Sequence, residues 1–268
     1  MMKNILLLVH DDLGQEARFQ AALDVGRAVG GHLTCLDVTI LPTIVAPGYT
    51  GDAGFSILLA DEHTRESANR ARLEARMAKE DVPWDWVDAT GEPTSCLKAE
   101  AALADLIVIN CQLDDFSLPD MRAVAGGLIV ASRCPVLAVP QAHERLDPDS
   151  AMIAWDGSSA AAAALRAAVP LLRCATNVVL VEIDDGSVAL PAEAAASYLS
   201  RHGIHATIRR LPSGHRNAAE IITAEASSGN FGYVVMGGFG HSRFVEALFG
   251  GVTRALLTNS PVPVFLAH

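Results

Sequence analysis

Cationic side chains are scarce in this chain, and lysine most of all. Only Lys3, Lys79 and Lys98 occur among 268 residues, so the second half has none. The formal net charge is −11, which argues against general binding to nucleic acid or to an anionic membrane surface. Aromatic residues make up 5%; close packing falls to alanine and to small aliphatic side chains. No pair of the five cysteines (Cys35, Cys96, Cys111, Cys134, Cys174) is spaced Cys-x-x-Cys. Buried free thiols are expected, and with them a reducing, cytoplasmic setting. No apolar run reaches transmembrane length, and the run ending at Val9 is too short for a signal peptide. The lysine-bearing phosphate loop Gly-x-x-x-x-Gly-Lys-Ser/Thr is absent, and Gly-x-Gly-x-x-Gly follows neither first strand. These gaps disfavour a fast nucleotide hydrolase and a dinucleotide enzyme.

What is present is a repeat. Residues 1–140 and 151–268 read as two copies of one unit, joined by a polar linker near 141–150. The copies open with the apolar runs Ile5-Leu-Leu-Leu-Val-His-Asp11 and Ala151-Met-Ile-Ala-Trp-Asp156. Asp11 precedes Asp37 by 26 positions, and Asp156 precedes Glu182 by the same number. Fourth strands are expected at 104–109 and 233–236, last strands at 134–139 and 262–266, and weaker third strands near 84–87 and 206–210. The alternation of strand and helix predicts an α/β fold, with a doubly wound parallel sheet in each half. The first copy carries an excursion at 39–61, followed by a helix expected over 62–80.

The most informative stretch follows the strand ending at Met236. It reads Gly237-Gly-Phe-Gly240, nine residues, then Gly250-Gly251 and the helical run from Val252 and Thr253. Glycines after a strand let backbone N–H groups approach a ligand, and a helix N-terminus attracts anions. The pattern suggests a cradle for a phosphorylated ligand.

Repeat and glycine spacing together resemble the universal stress protein family in its tandem two-domain form, over nearly the whole chain. The resemblance implies five parallel strands per half in the order 3-2-1-4-5, with the halves paired through their last strands as an intrachain pseudo-dimer. Further homo-oligomerisation is implied too. In nucleotide-binding relatives the motif is Gly-x-x-Gly, nine residues, then Gly-Ser or Gly-Thr. The implied ligand is ATP or AMP, with Mg²⁺ as an optional companion. The implied site is Ala154, Trp155, Asp156, Ile183, Met236, Gly237, Gly240, Gly250, Gly251, Val252 and Thr253. Asp156 would contact adenine or ribose, Ile183 would offer backbone groups to the adenine edge, and the glycines would approach ribose and phosphates. Gly251 departs from the motif, because the hydroxyl found there in binding members is missing. One lost hydrogen bond to a charged phosphate weakens binding roughly tenfold or more.

The first half has lost the pattern: Asn110-Cys-Gln-Leu113 stands where the second half has its first glycine pair, and Arg122-Ala123 where it has Gly250-Gly251. One site at most is expected, in the second half. No catalytic residue and no metal ligand is singled out. His202, His205 and His215 read as surface histidines, Ser158 lacks a nucleophile elbow, and Asp114-Asp115 and Asp184-Asp185 read as loop solvation. The expected role is a stress-response or regulatory nucleotide binder with little or no catalysis. A nucleotide-independent scaffold, or a binder of another small molecule, is the alternative, and a slow hydrolase a more distant one.

Overall fold

The structure, a computed structural model, describes residues 1–40, 52–113, 119–238 and 251–268. The first half runs β1 (Asn4–Val9), α1 (Gln15–Val29), β2 (His32–Ile40), α2 (Asp52–Met77), β3 (Trp84–Gly91), α3 (Pro93–Glu100), β4 (Leu106–Asn110), α4 (Met121–Ser132) and β5 (Val136–Val139). The second runs β6 (Ser150–Trp155), α5 (Ser159–Leu172), β7 (Asn177–Asp184), α6 (Ala192–Arg201), β8 (Ala206–Pro212), α7 (Ala218–Ser228), β9 (Tyr233–Gly237), α8 (Gly251–Asn259) and β10 (Val264–Ala267).

All ten strands form one sheet in the order β3-β2-β1-β4-β5-β10-β9-β6-β7-β8. Each half contributes a parallel block in the order 3-2-1-4-5. The blocks meet at β5 and β10, the last strand of each, which pair antiparallel with Phe265 opposite Leu137. The order is palindromic, and the chain therefore pairs with itself as two subunits would.

The strands are apolar along their length because both faces are covered. Ile5, Leu7 and Val9 of β1 join the core on the α1 and α5 side, while Leu6 and Leu8 face α3 and α4. Cys35, Cys111 and Cys134 lie inside, and burial pushes their thiols up to about 12. None of the described helices is long and apolar enough to cross a membrane.

Two expectations shift. Helix α2 starts at Asp52 rather than near 62, so the end of the excursion is helical; the last proline before it is Pro47. The rest of the excursion, 41–51, lies outside the described residues. The third strands, weak in sequence because they are half exposed, are both present as the outer strands β3 and β8.

Candidate functional site

In each block the first and fourth strands are neighbours whose connections leave on opposite faces, which opens a crevice at their carboxyl ends. In the second half that crevice lies between β6 and β9, where Ala154 sits opposite Met236. Gly237 follows. A Cβ there would lie 2.4 Å from the Ala161 nitrogen and 2.6 Å from the Ala160 carbonyl carbon. The first turn of α5 therefore rests directly on the end of β9, and glycine is required for that approach. Ser158 caps α5 by accepting from the Ala161 N–H at 3.1 Å. Asp156 Oδ1 accepts the Ser158 N–H at 2.9 Å. Its other oxygen has no partner among the described residues.

The connection after β7 folds back over this end of β6. The Ala189 N–H donates to the Asp156 carbonyl at 2.9 Å, and the Trp155 indole N–H to the Leu190 carbonyl at 2.8 Å. Gly157, at φ +73°, passes under Leu190.

These segments enclose a cavity of about 420 Å³. Nine of the residues expected from sequence line it: Ala154, Trp155, Asp156, Ile183, Met236, Gly237, Gly251, Val252 and Thr253. The other two, Gly240 and Gly250, lie outside the described residues, as do His241, Ser242 and Arg243. The sequence reading missed Ser158, Ala160, Val181, Asp185, Ser187, Val188, Ala218 and Ile222, which complete the described wall. Ala218 and Ile222 come from α7, which carries no motif; only the topology brings that helix to the crevice.

The floor is apolar, with Val181, Ile183, Ile222 and Met236 around it. The rim is acidic. Asp156 and Asp185 line it, and no lysine or arginine does so among the described residues. The Ser187 hydroxyl and N–H, at 2.6 and 2.9 Å, hold the Asp185 carboxyl below its usual range. The Ile183 carbonyl already accepts the Asp185 N–H at 3.1 Å, leaving one lone pair for a ligand. At the far end α8 begins at Gly251, and its first three residues line the cavity; the first amides of a helix have no partner within it.

The corresponding crevice of the first half is filled. Sheet register makes His10, not Asp11, the counterpart of Asp156: Asn4 and Ser150 occupy matching positions against β4 and β9. The connection from β1 to β2 is one residue longer than that from β6 to β7, which is why equal sequence spacing misled. Asn110 replaces Gly237, and its amide donates to the carbonyls of Gly14 (3.0 Å) and Val139 (3.2 Å). Arg18, fully buried, closes the space by donating to the carbonyls of Leu8 and His10, to Asp12 and to Asn110. The helix start that faces phosphate in the cradle motif is occupied here as well. The Asp120 carboxylate caps the Arg122 N–H and also holds the Arg122 guanidinium.

Glu182 and Asp37 differ in the same way. Glu182 accepts from the Ala192 N–H at 2.7 Å and from Arg210 at 2.8 Å. Its β8 neighbour in register is Arg210, whereas the β3 neighbour of Asp37 is Asp88. Burial first, then the charges of Glu66 and Asp88, push the Asp37 carboxyl up to about 7.

Residues 149–268 match the model of the universal stress protein family. The chain carries a universal stress protein domain. Solved structures extend the likeness over both halves. A universal stress protein from Archaeoglobus fulgidus DSM 4304 is 15% identical and superposes with a TM-score of 0.74, over 100% of this chain and 96% of that one. A putative universal stress protein from Pseudomonas aeruginosa UCBPP-PA14 is 16% identical, with a TM-score of 0.62 over 99% and 93%. A functionally unknown protein from Pseudomonas aeruginosa PAO1 is also 16% identical, with a TM-score of 0.61 over 99% and 92%. At such identities the likeness is one of fold. No curated protein matches the chain in sequence. Within the universal stress protein domain, β6 with the following Asp156, β7, β9 and the start of α8 supply every described residue of the expected site.

Proposed function

We propose that the universal stress protein domain, residues 151–268, binds an adenine nucleotide, ATP or AMP, as a regulatory ligand in a stress response, and that residues 1–140 serve as its packing partner. One observation carries this reading. Five segments distant in sequence converge on a single cavity with an apolar floor, a half-free carboxylate at Asp156 and a helix start at Gly251. The floor suits a purine ring. The free Asp156 oxygen accepts from a ribose hydroxyl or an exocyclic amine. The amides of Gly251, Val252 and Thr253 face the phosphate end. With two carboxylates on the rim, Mg²⁺ would accompany a polyphosphate more readily than a bare anion would enter. Gly251, Val252 and Thr253 bring no general base to the phosphate end, so the nucleotide is held rather than turned over.

Calorimetric titration with ATP, ADP and AMP, each with Mg²⁺, is expected to show one site per chain. Ala218→Trp places an indole from the half-exposed start of α7 into the cavity and should abolish the heat while the protein stays folded. No heat and no thermal shift at millimolar nucleotide would sink the nucleotide reading in favour of a scaffold or another small ligand. Gly251, which lacks the motif's hydroxyl, is the feature that favours that second reading.

Gly251→Ser separates them further. Among the described residues a Cβ at this position meets nothing within 4 Å, so the hydroxyl clashes with none of them. Restoring one charge-assisted hydrogen bond should tighten ATP or AMP about tenfold or more. Adenosine, which has no phosphate, should bind Gly251→Ser and wild type equally.

A further inference from the structure

The first half holds a second polar centre that the nucleotide reading leaves unused. His10, Glu62 and Glu66 each offer a ligand atom, and the three atoms lie within 4.8 Å of one another. His10 Nδ1 stands 2.8 Å from Glu66 Oε1, 3.1 Å from the Val38 carbonyl and 3.9 Å from Glu62 Oε1. All three neighbours are acceptors, so Nδ1 carries a proton that they share.

Asp37 is the independent observation. It is 5% exposed and its Oδ1 has no hydrogen-bond partner among the described residues; it pairs with Val9, next to His10, and precedes Val38, whose carbonyl meets the His10 ring. A buried carboxylate near another buried carboxylate needs a cation or a proton between them. The second half meets this need at the matching position with Arg210 and a helix N–H; the first half places Asp88 there, already paired with Arg70. The other groups around the centre leave Asp37 unserved. Asp11 N–H and the Asn69 amide donate to Glu66 at 3.1 and 3.3 Å. The Arg65 guanidinium lies 2.7 Å from Glu62, 3.8 Å from Glu66 and 3.5 Å from His10 Nε2.

We infer that His10, Glu62 and Glu66 form a binding site for one divalent transition-metal cation, with the Asp37 carboxylate and the Val38 carbonyl beside it. One imidazole nitrogen with two or three carboxylate oxygens is a donor set for Zn²⁺ or Mn²⁺; the nitrogen disfavours Ca²⁺ and Mg²⁺. The cation takes the place of the proton on Nδ1, which is released to solvent, and supplies the positive charge that Asp37 lacks. Arg65, half exposed, swings outward as it enters.

The test uses the full chain, freed of metal with chelator and titrated with ZnCl₂ and MnCl₂ at neutral pH, with bound metal counted by elemental analysis. One tightly bound Zn²⁺ per chain is expected, together with a rise in melting temperature. Glu66→Gln and Asp37→Asn should each weaken Zn²⁺ at least tenfold. Both variants replace a buried charge with an isosteric amide, so folding is expected to persist, as circular dichroism will show. His202→Ala/His205→Ala/His215→Ala, which removes exposed histidines elsewhere, should leave the stoichiometry at one. Absence of a stoichiometric ion in folded wild type would overturn the inference. Unchanged affinity in both carboxylate variants would overturn it equally, by placing the ion elsewhere.

Discussion

Arg18→Met should lower the stability of the folded chain by about 3–5 kcal/mol, the range expected when one partner of a buried ion pair is removed. Arg18 has no exposed surface and donates to four acceptors: the Leu8 carbonyl (2.7 Å), the His10 carbonyl (2.6 Å), Asp12 Oδ1 (2.7 Å) and Asn110 Oδ1 (2.5 Å). Methionine fills much of the volume but satisfies none of these. The Asp12 carboxylate is left buried without its countercharge, and two strand-end carbonyls lose their donor, each unsatisfied group costing about 1–3 kcal/mol. At roughly 2–4 °C per kcal/mol for a chain of this size class, the melting temperature should fall by about 10 °C. Arg18→Lys should recover only part, because a single ammonium cannot reach acceptors arranged around a planar fork. Nucleotide affinity of the second half should stay within about twofold when measured below the transition. A fall in stability under 1 kcal/mol would show that this network does not hold the first crevice closed.

Gly157→Ala should damage stability and binding together. Gly157 has φ +73°, where an L side chain costs about 1–2 kcal/mol. An added Cβ would also lie 2.0 Å from the Leu190 nitrogen and 2.4 Å from its oxygen, so backbone has to move. What moves is the connection held down by Ala189 on the Asp156 carbonyl and by Leu190 on the Trp155 indole. Total destabilisation of about 3 kcal/mol is expected, with nucleotide affinity reduced at least tenfold and a shift in Trp155 fluorescence as its hydrogen bond lengthens. Gly186→Ala is the control. It lies on the same connection at φ +80°, yet a Cβ there meets nothing within 4 Å. It should carry only the conformational cost and leave binding intact. Equal behaviour of the two variants would remove the close approach at Gly157 as the cause.

Much of the architecture was legible because its signals are local. Strands buried on both faces must be apolar nearly throughout, so β1, β4, β6, β7 and β9 show as short apolar runs. The repeat then paired them, and the glycine spacing marked the crevice. The signals that failed were those needing a through-space count. Asp11 matches Asp156 by spacing to the next acidic residue, but hydrogen-bond register assigns that place to His10. Glu62 and Glu66 lie one helical turn apart, an ordinary pattern on an exposed helix, and nothing in the chain links them to a histidine more than fifty positions earlier. Arg18 reads as a surface residue of an amphipathic helix until its four acceptors are located.

The amino-acid sequence alone therefore determined the α/β class, the two copies and the position of the second crevice, because apolar periodicity and glycine placement act within a few residues. Only the tertiary structure decided that α7 and the β7 connection complete the second crevice, and that Arg18 and Asn110 close the first. These outcomes depend on which residues the strand register brings side by side. A single extra residue between β1 and β2 changes the sequence spacing while leaving the strand register intact, so only the register shows which residues correspond.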